Sequence, residues 1–527
     1  FSNFIKLMAE DKIQPVNLAS SVQATLESLK AARRSNSGVS TASDLSVSST
    51  ALSQLITTID NGKSAVVVEV GSKLTKIGCA GEINPRHVIR TEYTEESGEV
   101  IKSDEILALN DRKNALKPIE YYEDLLHKFL RIGFLKVLAP SDRPVIVVES
   151  MFMSEDLRNA MTKVIVEKLR CKSLMFMPSH VCATFPFNTQ NALVVDIGHS
   201  ECVAVPVIEG VTMLNEFESA RSICGRQLER RVRELLEKYG QMEELSGERR
   251  TLTEADWEDI DRIRLIETLS LSLICLDKER AQKWKEWEEA EGEKPSIEHL
   301  CKEKTVPING KSIVVPPVVF ETAIEIFFDE SLNPNSFDLS LPKILHKVVS
   351  KCPIDIRRKL FPNILLAGGV STIPGLMKRI EQEIHEIDEK NATKYTEVVE
   401  FYQFSEIKNS PLFVSWVGAS LLGSLRETIE RKSLTLEQWK AGKLAADWTD
   451  MIQEINKIDE QNGTKYTEVV KFYQFSEIKN SPLFVSWVGA SLLGSLRETI
   501  ERKSLTLEQW KAGKLAADWT DMIVKAR

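Results

Sequence analysis

The chain carries one design three times: a short apolar run that leads straight into glycine. Leu193-Val194-Val195 precede Asp196, Ile197 and Gly198. His199-Ser200-Glu201 then form a polar tip, and Cys202-Val203-Ala204-Val205-Pro206-Val207 return. The pattern predicts a buried strand, a tight turn and a second strand. Residues 66–78 repeat it, with Val66-Val67-Val68, Glu69, Val70 and Gly71, a Ser72-Lys73 tip, and a return strand ending at Ile77-Gly78. Further along, Ile364-Leu365-Leu366-Ala367 read as a buried strand that meets Gly368-Gly369 and then a helix start. Between these lie stretches with helical spacing: 121–134, 155–169 (apolar Leu157, Met161, Val164, Ile165 and Leu169), 225–239, 257–281 and 342–352. Residues 144–149 read as another buried strand. This alternation predicts an α/β fold with a mostly parallel core sheet and helices packed on it.

Composition narrows the function classes. The chain has 527 residues, a net charge of −9 and a pI near 5.6, which excludes a protein built to neutralise nucleic-acid phosphates. No apolar run approaches the roughly 18 residues a membrane helix needs, so membrane insertion is not expected. The eight cysteines have no C-x-x-C or zinc spacing and read as reduced core thiols. In residues 1–62, 22–34 read as a marginal helix and the Ser/Thr-rich 35–53 as a disordered tail. Met8-Ala9-Glu10-Asp11 has the look of a natural start. Residues 282–311 read as a charged surface insertion, and Arg226, Arg230, Arg231 and Arg233 as a solvated helix face. Residues 382–452 and 453–523 are gapless tandem copies of 71 residues, differing only at His385/Asn456, Glu386/Lys457, Lys390/Gln461, Ala392/Gly463 and Glu400/Lys471. One globular core needs such a segment once, and the first copy, nearer to Gly369, is expected to fill the slot.

The chemistry lies in the glycines and the acids before them. A glycine at a hairpin tip lets backbone N–H groups close on a phosphate, and an adjacent carboxylate can hold a metal ion or its water shell. Glu69 reads equally well as a turn cap. Gly198-His199-Ser200-Glu201-Cys202 is no G-x-S-x-G elbow, because Cys202 stands where the second glycine belongs. The chain also lacks a P-loop, an HExxH pair and a kinase catalytic loop.

Two acid–glycine hairpins and a Gly-Gly turn, in this order, resemble the phosphate clamp of the actin, sugar-kinase and chaperone ATPase superfamily. Gly78-Cys79-Ala80-Gly81 with Pro85-Arg86, Val205-Pro206 with Glu209-Gly210, and Ser415-Trp416-Val417-Gly418-Ala419-Ser420 resemble actin motifs. Arg143-Pro144-Val145-Ile146-Val147-Val148-Glu149-Ser150, Pro178-Ser179-His180 and residues 351–360 resemble an actin-related branch of that family, and the resemblance spans residues 64–425.

The resemblance implies a two-lobed actin-like fold. Lobe 1 covers 63–185, with a reduced small subdomain at 92–116. Lobe 2 covers 186–413, with 223–317 as its own small subdomain. Residues 414–452 return to lobe 1. It implies ATP or ADP with Mg²⁺: Glu69 and Asp196 facing the metal through water, Gly71, Ser72, Lys73, Gly198 and His199 at the phosphates, and Gly368 and Gly369 beside the adenosine. Lys73 replaces a glycine of the family; its ammonium could neutralise a phosphate or its bulk could fill the pocket. Of the residues that align the attacking water in actin, the glutamine falls on Ser179 or His180 and the histidine on Val203. Slow hydrolysis or none is therefore expected, and no catalytic residue is assigned. The implied role is a structural, cytoplasmic subunit at the pointed end of the dynactin minifilament, supporting dynein-based transport. Its partners would be the filament-forming actin-related protein and the other pointed-end subunits. The alternatives are a hydrolysing, self-polymerising actin-like ATPase, a sugar kinase, or a nuclear chromatin-associated actin-related protein.

Overall fold

The computed structural model describes residues 65–443, apart from 112, 138–142, 291–294, 334–337, 392–397, 406, 408, 425–428, 430 and 431. The chain divides into two compact units, Phe1–Lys63 and Ser64–Arg527, and everything described below belongs to the second. The expectations for residues 1–62 and for the second repeat copy lie outside the described residues.

Lobe 1 grows from its first hairpin. β1 (Val66–Val70) pairs antiparallel with β2 (Leu74–Cys79), which pairs with β3 (His87–Arg90). Helix α1 (Ile119–Lys136) turns Tyr122, Leu125, Leu126, Phe129 and Leu130 inward. β4 (Pro144–Glu149) then inserts parallel to β1, and β5 (Ser173–Pro178) parallel to β4. Both strands are buried along their whole length, which is why they read as unbroken apolar runs and not as alternation.

Lobe 2 repeats the scheme. β6 (Ala192–Ile197) pairs antiparallel with β7 (Cys202–Ile208), and helix α2 (Gly225–Tyr239) and the short α3 (Leu265–Ser270) follow. After α4 (Leu341–Lys351), β8 (Ile364–Ala367) enters parallel to β6, and α5 (Leu376–Asn391) leaves the Gly-Gly turn by way of a short 3₁₀ segment. β1 and β6 thus hold equivalent places, each with an antiparallel hairpin partner on one side and a parallel strand on the other. A smaller antiparallel sheet of Arg249–Thr251, Gln241–Glu243, Lys311–Val315 and Lys304–Ile308 is appended to lobe 2.

Helix α6 (Val414–Gly423) comes from the first repeat copy and returns to lobe 1. Trp416 is fully buried and donates its indole N–H to Val67 O at 3.0 Å. A Cβ on Gly418 would lie 1.8 Å from Cys182 O, so only glycine allows this approach.

Three elements differ from the sequence pattern. The helix expected over 155–169 is α only from Glu155 to Lys163 and then widens into a π-turn over Val164–Lys168, closed by Leu169 N–H on Val164 O. The wider turn rotates less per residue, so Val164, Ile165 and Val166 can all face the core. The helix expected over 257–281 is three helices. Arg264, at φ 54°, breaks it after Glu254–Arg262, and the backbone of Ile274 and Cys275 is spent on Phe320 O and Pro374 O before Lys278–Glu289 begins. The charged stretch 282–311 is anchored from beneath. Buried Glu321 accepts from Trp284 Nε1 and from the backbone N–H groups of Leu300 and Cys301.

Candidate functional site

The two hairpin tips are built alike. Gly71 N–H donates to Leu74 O at 3.1 Å and Gly198 N–H to Glu201 O at 2.9 Å. A Cβ on Gly71 would press on Leu74 O at 2.8 Å, so the first tip needs its glycine. Ser72 sits half-buried at the crest of that tip.

The acids behind the tips come close enough to interact. Glu69 lies opposite Lys76 in the β1–β2 register, and their side chains form an ion pair. The other carboxylate oxygen of Glu69 is buried with no hydrogen-bond partner among the described residues. Burial, with the Glu69 charge adding to it against the pull of Lys76, pushes Asp196 up to about 6. From the third element, Gly368 closes on Asp196. At φ +89°, a Cβ there would lie 2.3 Å from Ile197 O and 2.7 Å from Asp196 Oδ1. Gly369 is open on its side-chain face, where a Cβ would meet only Leu412 Cδ1, at 3.7 Å.

Of the nine residues singled out in the sequence, the structure brings Gly368 against Asp196, and Glu69 close enough for its charge to act on Asp196. Lys73 and His199 point elsewhere. Lys73 Nζ sits 3.0 Å from Glu229 Oε1 and 2.9 Å from Glu267 Oε1, and His199 Nε2 lies 3.4 Å from Glu229 Oε2. Arg90 joins Glu267 as well. Burial alone would raise both glutamates; the bonds from His199 and Lys73 hold Glu229 below the usual carboxylate range, and those from Lys73 and Arg90 do the same for Glu267.

Sequence reasoning missed Lys76 and Glu229. Lys76 was legible, since strand pairing across a short turn sets it opposite Glu69. Glu229 sits among the arginines of α2 with nothing to mark it. The positions tied to water alignment have apolar or occupied surroundings. Val203, opposite Asp196, packs with Val205 and Phe187. His180 Nε2 shares a hydrogen with Thr212 Oγ1 at 2.9 Å, and burial pushes its imidazole down to about 4.

The chemistry of the two acids suits a divalent cation: Glu69 has a buried carboxylate oxygen with no partner among the described residues, and Asp196 is a second buried acid that feels the Glu69 charge. Among the described residues no three His, Cys, Asp or Glu side chains group to hold a metal. The remaining ligands would be water and phosphate, the manner in which Mg²⁺ is commonly held.

Two equivalent acid–glycine hairpins, the second packed against a Gly-Gly turn, define a protein of the actin fold. The family model for actin matches residues 60–440, and the chain belongs to the actin family. Relatives agree at a distance. Actin-related protein 10 of Dictyostelium discoideum is 23% identical over 82% of this chain and 99% of its own length. Actin-related protein 4 of Oryza sativa subsp. indica is 23% identical over 69% of this chain and 93% of its own. Putative actin-29 of D. discoideum is 23% identical over 72% and 95%. Members of this family bind ATP or ADP with a divalent cation.

Proposed function

We propose that the chain is a structural actin-related subunit that caps the pointed end of the dynactin minifilament. It would dock there on the last filament-forming actin-related protein, beside the other pointed-end subunits, in the cytoplasm. The observation that carries this reading is the brevity of the segment after β3. Among the described residues, 92–116 hold a two-stranded hairpin, Tyr93–Thr94 with Val100–Ile101, a single helical turn, Ser103–Ile106, and a 3₁₀ turn, Ala108–Asn110. In actin the corresponding region extends a loop that grips the next subunit. Here it is drawn down onto lobe 2 by Arg264 on Glu92 and Arg226 on Asp104. A subunit of this form can end a filament but gives its neighbour nothing to hold. Similarity to an actin-related protein 10 along nearly that relative's whole length supports the same reading.

In this reading the clamp takes ATP or ADP as a structural ligand. Glu69 and Asp196 hold the cation, the backbone of Gly71, Ser72, Gly198 and His199 meets the phosphates, and Gly368 and Gly369 border the adenosine. Hydrolysis is negligible, because phosphoryl transfer rests on positioning, and Val203 and Ser179 or His180 replace the pair that would align the water. Affinity purification of the chain from cell extract is expected to bring down dynactin subunits, and the pure protein to release no phosphate above background. Recovery with chromatin-remodelling subunits, or turnover like that of filamentous actin, would overturn it.

A further inference from the structure

The charges that run between the two lobes are arranged in reciprocal pairs. Lobe 1 presents Lys73 from the first tip and Arg90 from β3, and lobe 2 answers with Glu229 from α2 and Glu267 from α3. Lobe 1 also presents Glu92 and Asp104, and lobe 2 answers with Arg264 and Arg226. Glu229 holds the central place. One carboxylate takes Lys73 from the first clamp tip and His199 from the second. Helix α2 is itself fixed to the second tip, with Gly225 N–H on Gly198 O at 2.9 Å and Arg226 N–H on His199 O at 2.8 Å. A Cβ at Gly225 would press on His199 Cα at 3.2 Å, so the helix start and the tip move as one piece. A pull on Lys73 is therefore a pull on the whole second clamp. The central groups are about a quarter exposed or less, Lys73 at 26%, Glu229 at 24% and Glu267 at 19%, so water screens them only in part.

In a phosphate clamp, the anion that joins two such tips comes with the ligand. We propose that this chain supplies its own: Glu229, with Glu267, clasps Lys73 and holds the two lobes together without nucleotide. The clasp makes closure a property of the folded chain, and it commits the Lys73 ammonium to protein carboxylates, away from a phosphate. This does not rest on the dynactin assignment; a clasped protein could dock elsewhere, and a dynactin subunit could lack a clasp.

The test is amide hydrogen exchange on the full chain, stripped of nucleotide and metal, following peptides over residues 71–74 and 225–230. Wild-type protein is expected to protect both segments, and addition of Mg·ATP to change their exchange less than about twofold. Lys73→Met and Glu229→Gln are each expected to speed exchange there by about tenfold, and the double variant to go no further than the stronger single one, as coupled partners do. Tips that exchange freely in wild type until Mg·ATP is added, single variants without effect, or a double variant whose effects simply add, would each overturn the clasp. Should a variant fail to fold, wild-type protein alone decides. Raising the salt is expected to speed exchange in these two segments while the β4 and β6 core stays protected, and exchange indifferent to salt would overturn it.

Discussion

At the scale of single residues the site is a balance of charge. Asp196 would be ionised at neutral pH beside Glu69, with Lys76 as the counter-charge. Its folded pKa of about 6 stands above the ordinary 3.8, so between those values the folded protein binds a proton that the unfolded chain releases. Stability from this group therefore falls as pH rises through about 6 and is regained toward pH 4. Asp196→Asn removes the penalty. The ligand-free variant is expected to gain about 3 kcal/mol at pH 7.5 and little near pH 4, read as urea midpoints at the two pH values. An equal gain at both would mean that packing, and not ionisation, sets the cost. The same variant is expected to bind Mg·ATP more weakly, since one of the two acids proposed to hold the cation is gone.

At the scale of elements, the tightest fit is α6 against the helix Ser179–Thr184. Ala at position 418 would drive a methyl into the Cys182 carbonyl, where backbone on both sides leaves nothing free to swing aside. Gly418→Ala is expected to cost about 2–3 kcal/mol in chemical denaturation. Gly489→Ala, the same change in the second copy, is expected to cost less than about 0.5 kcal/mol. The reverse ranking would put the second copy in the slot. The elements also separate what the sequence made legible from what it hid. The two hairpins and β8 were plain because valine and leucine runs ending in glycine admit few other structures. The breaks inside 257–281 were hidden, because the left-handed Arg264 and the backbone bonds of Ile274 and Cys275 are set by neighbours far along the chain. Of the candidate site, the acids and glycines were legible as turn chemistry. The destination of Lys73 was not, since its partners Glu229 and Glu267 lie more than 150 residues away in sequence.

At the scale of the whole molecule, the duplication poses a choice that the structure helps to decide. Gly369 stands 47 residues before Trp416 and 118 before Trp487, so using the second copy means looping out a longer segment, at a cost of only about 1 kcal/mol. Charge adds a second term. Glu386 in α5 pairs with Lys278 across lobe 2, and the second copy carries Lys457 at that place. Seating the second copy would set two ammonium groups against each other, with Glu454, the counterpart of Glu383, as the remaining acid. Two deletions isolate this term. Removing 453–523 or removing 382–452 leaves chains of the same length, identical except at the five differing positions, so the loop term cancels. Without 453–523 the protein is expected to keep its full stability and become more soluble, because Phe484, Val485 and Trp487 no longer compete for a filled slot. Without 382–452 it is expected to fold around the second copy with about 0.5–1 kcal/mol less stability, a deficit that shrinks in high salt. Lys457→Glu in that background is expected to restore most of it. A protein that loses solubility or its partners when 453–523 is removed would show the second copy to be a working part of the molecule; equal stability of the two deletions would leave chain connectivity alone to decide which copy packs.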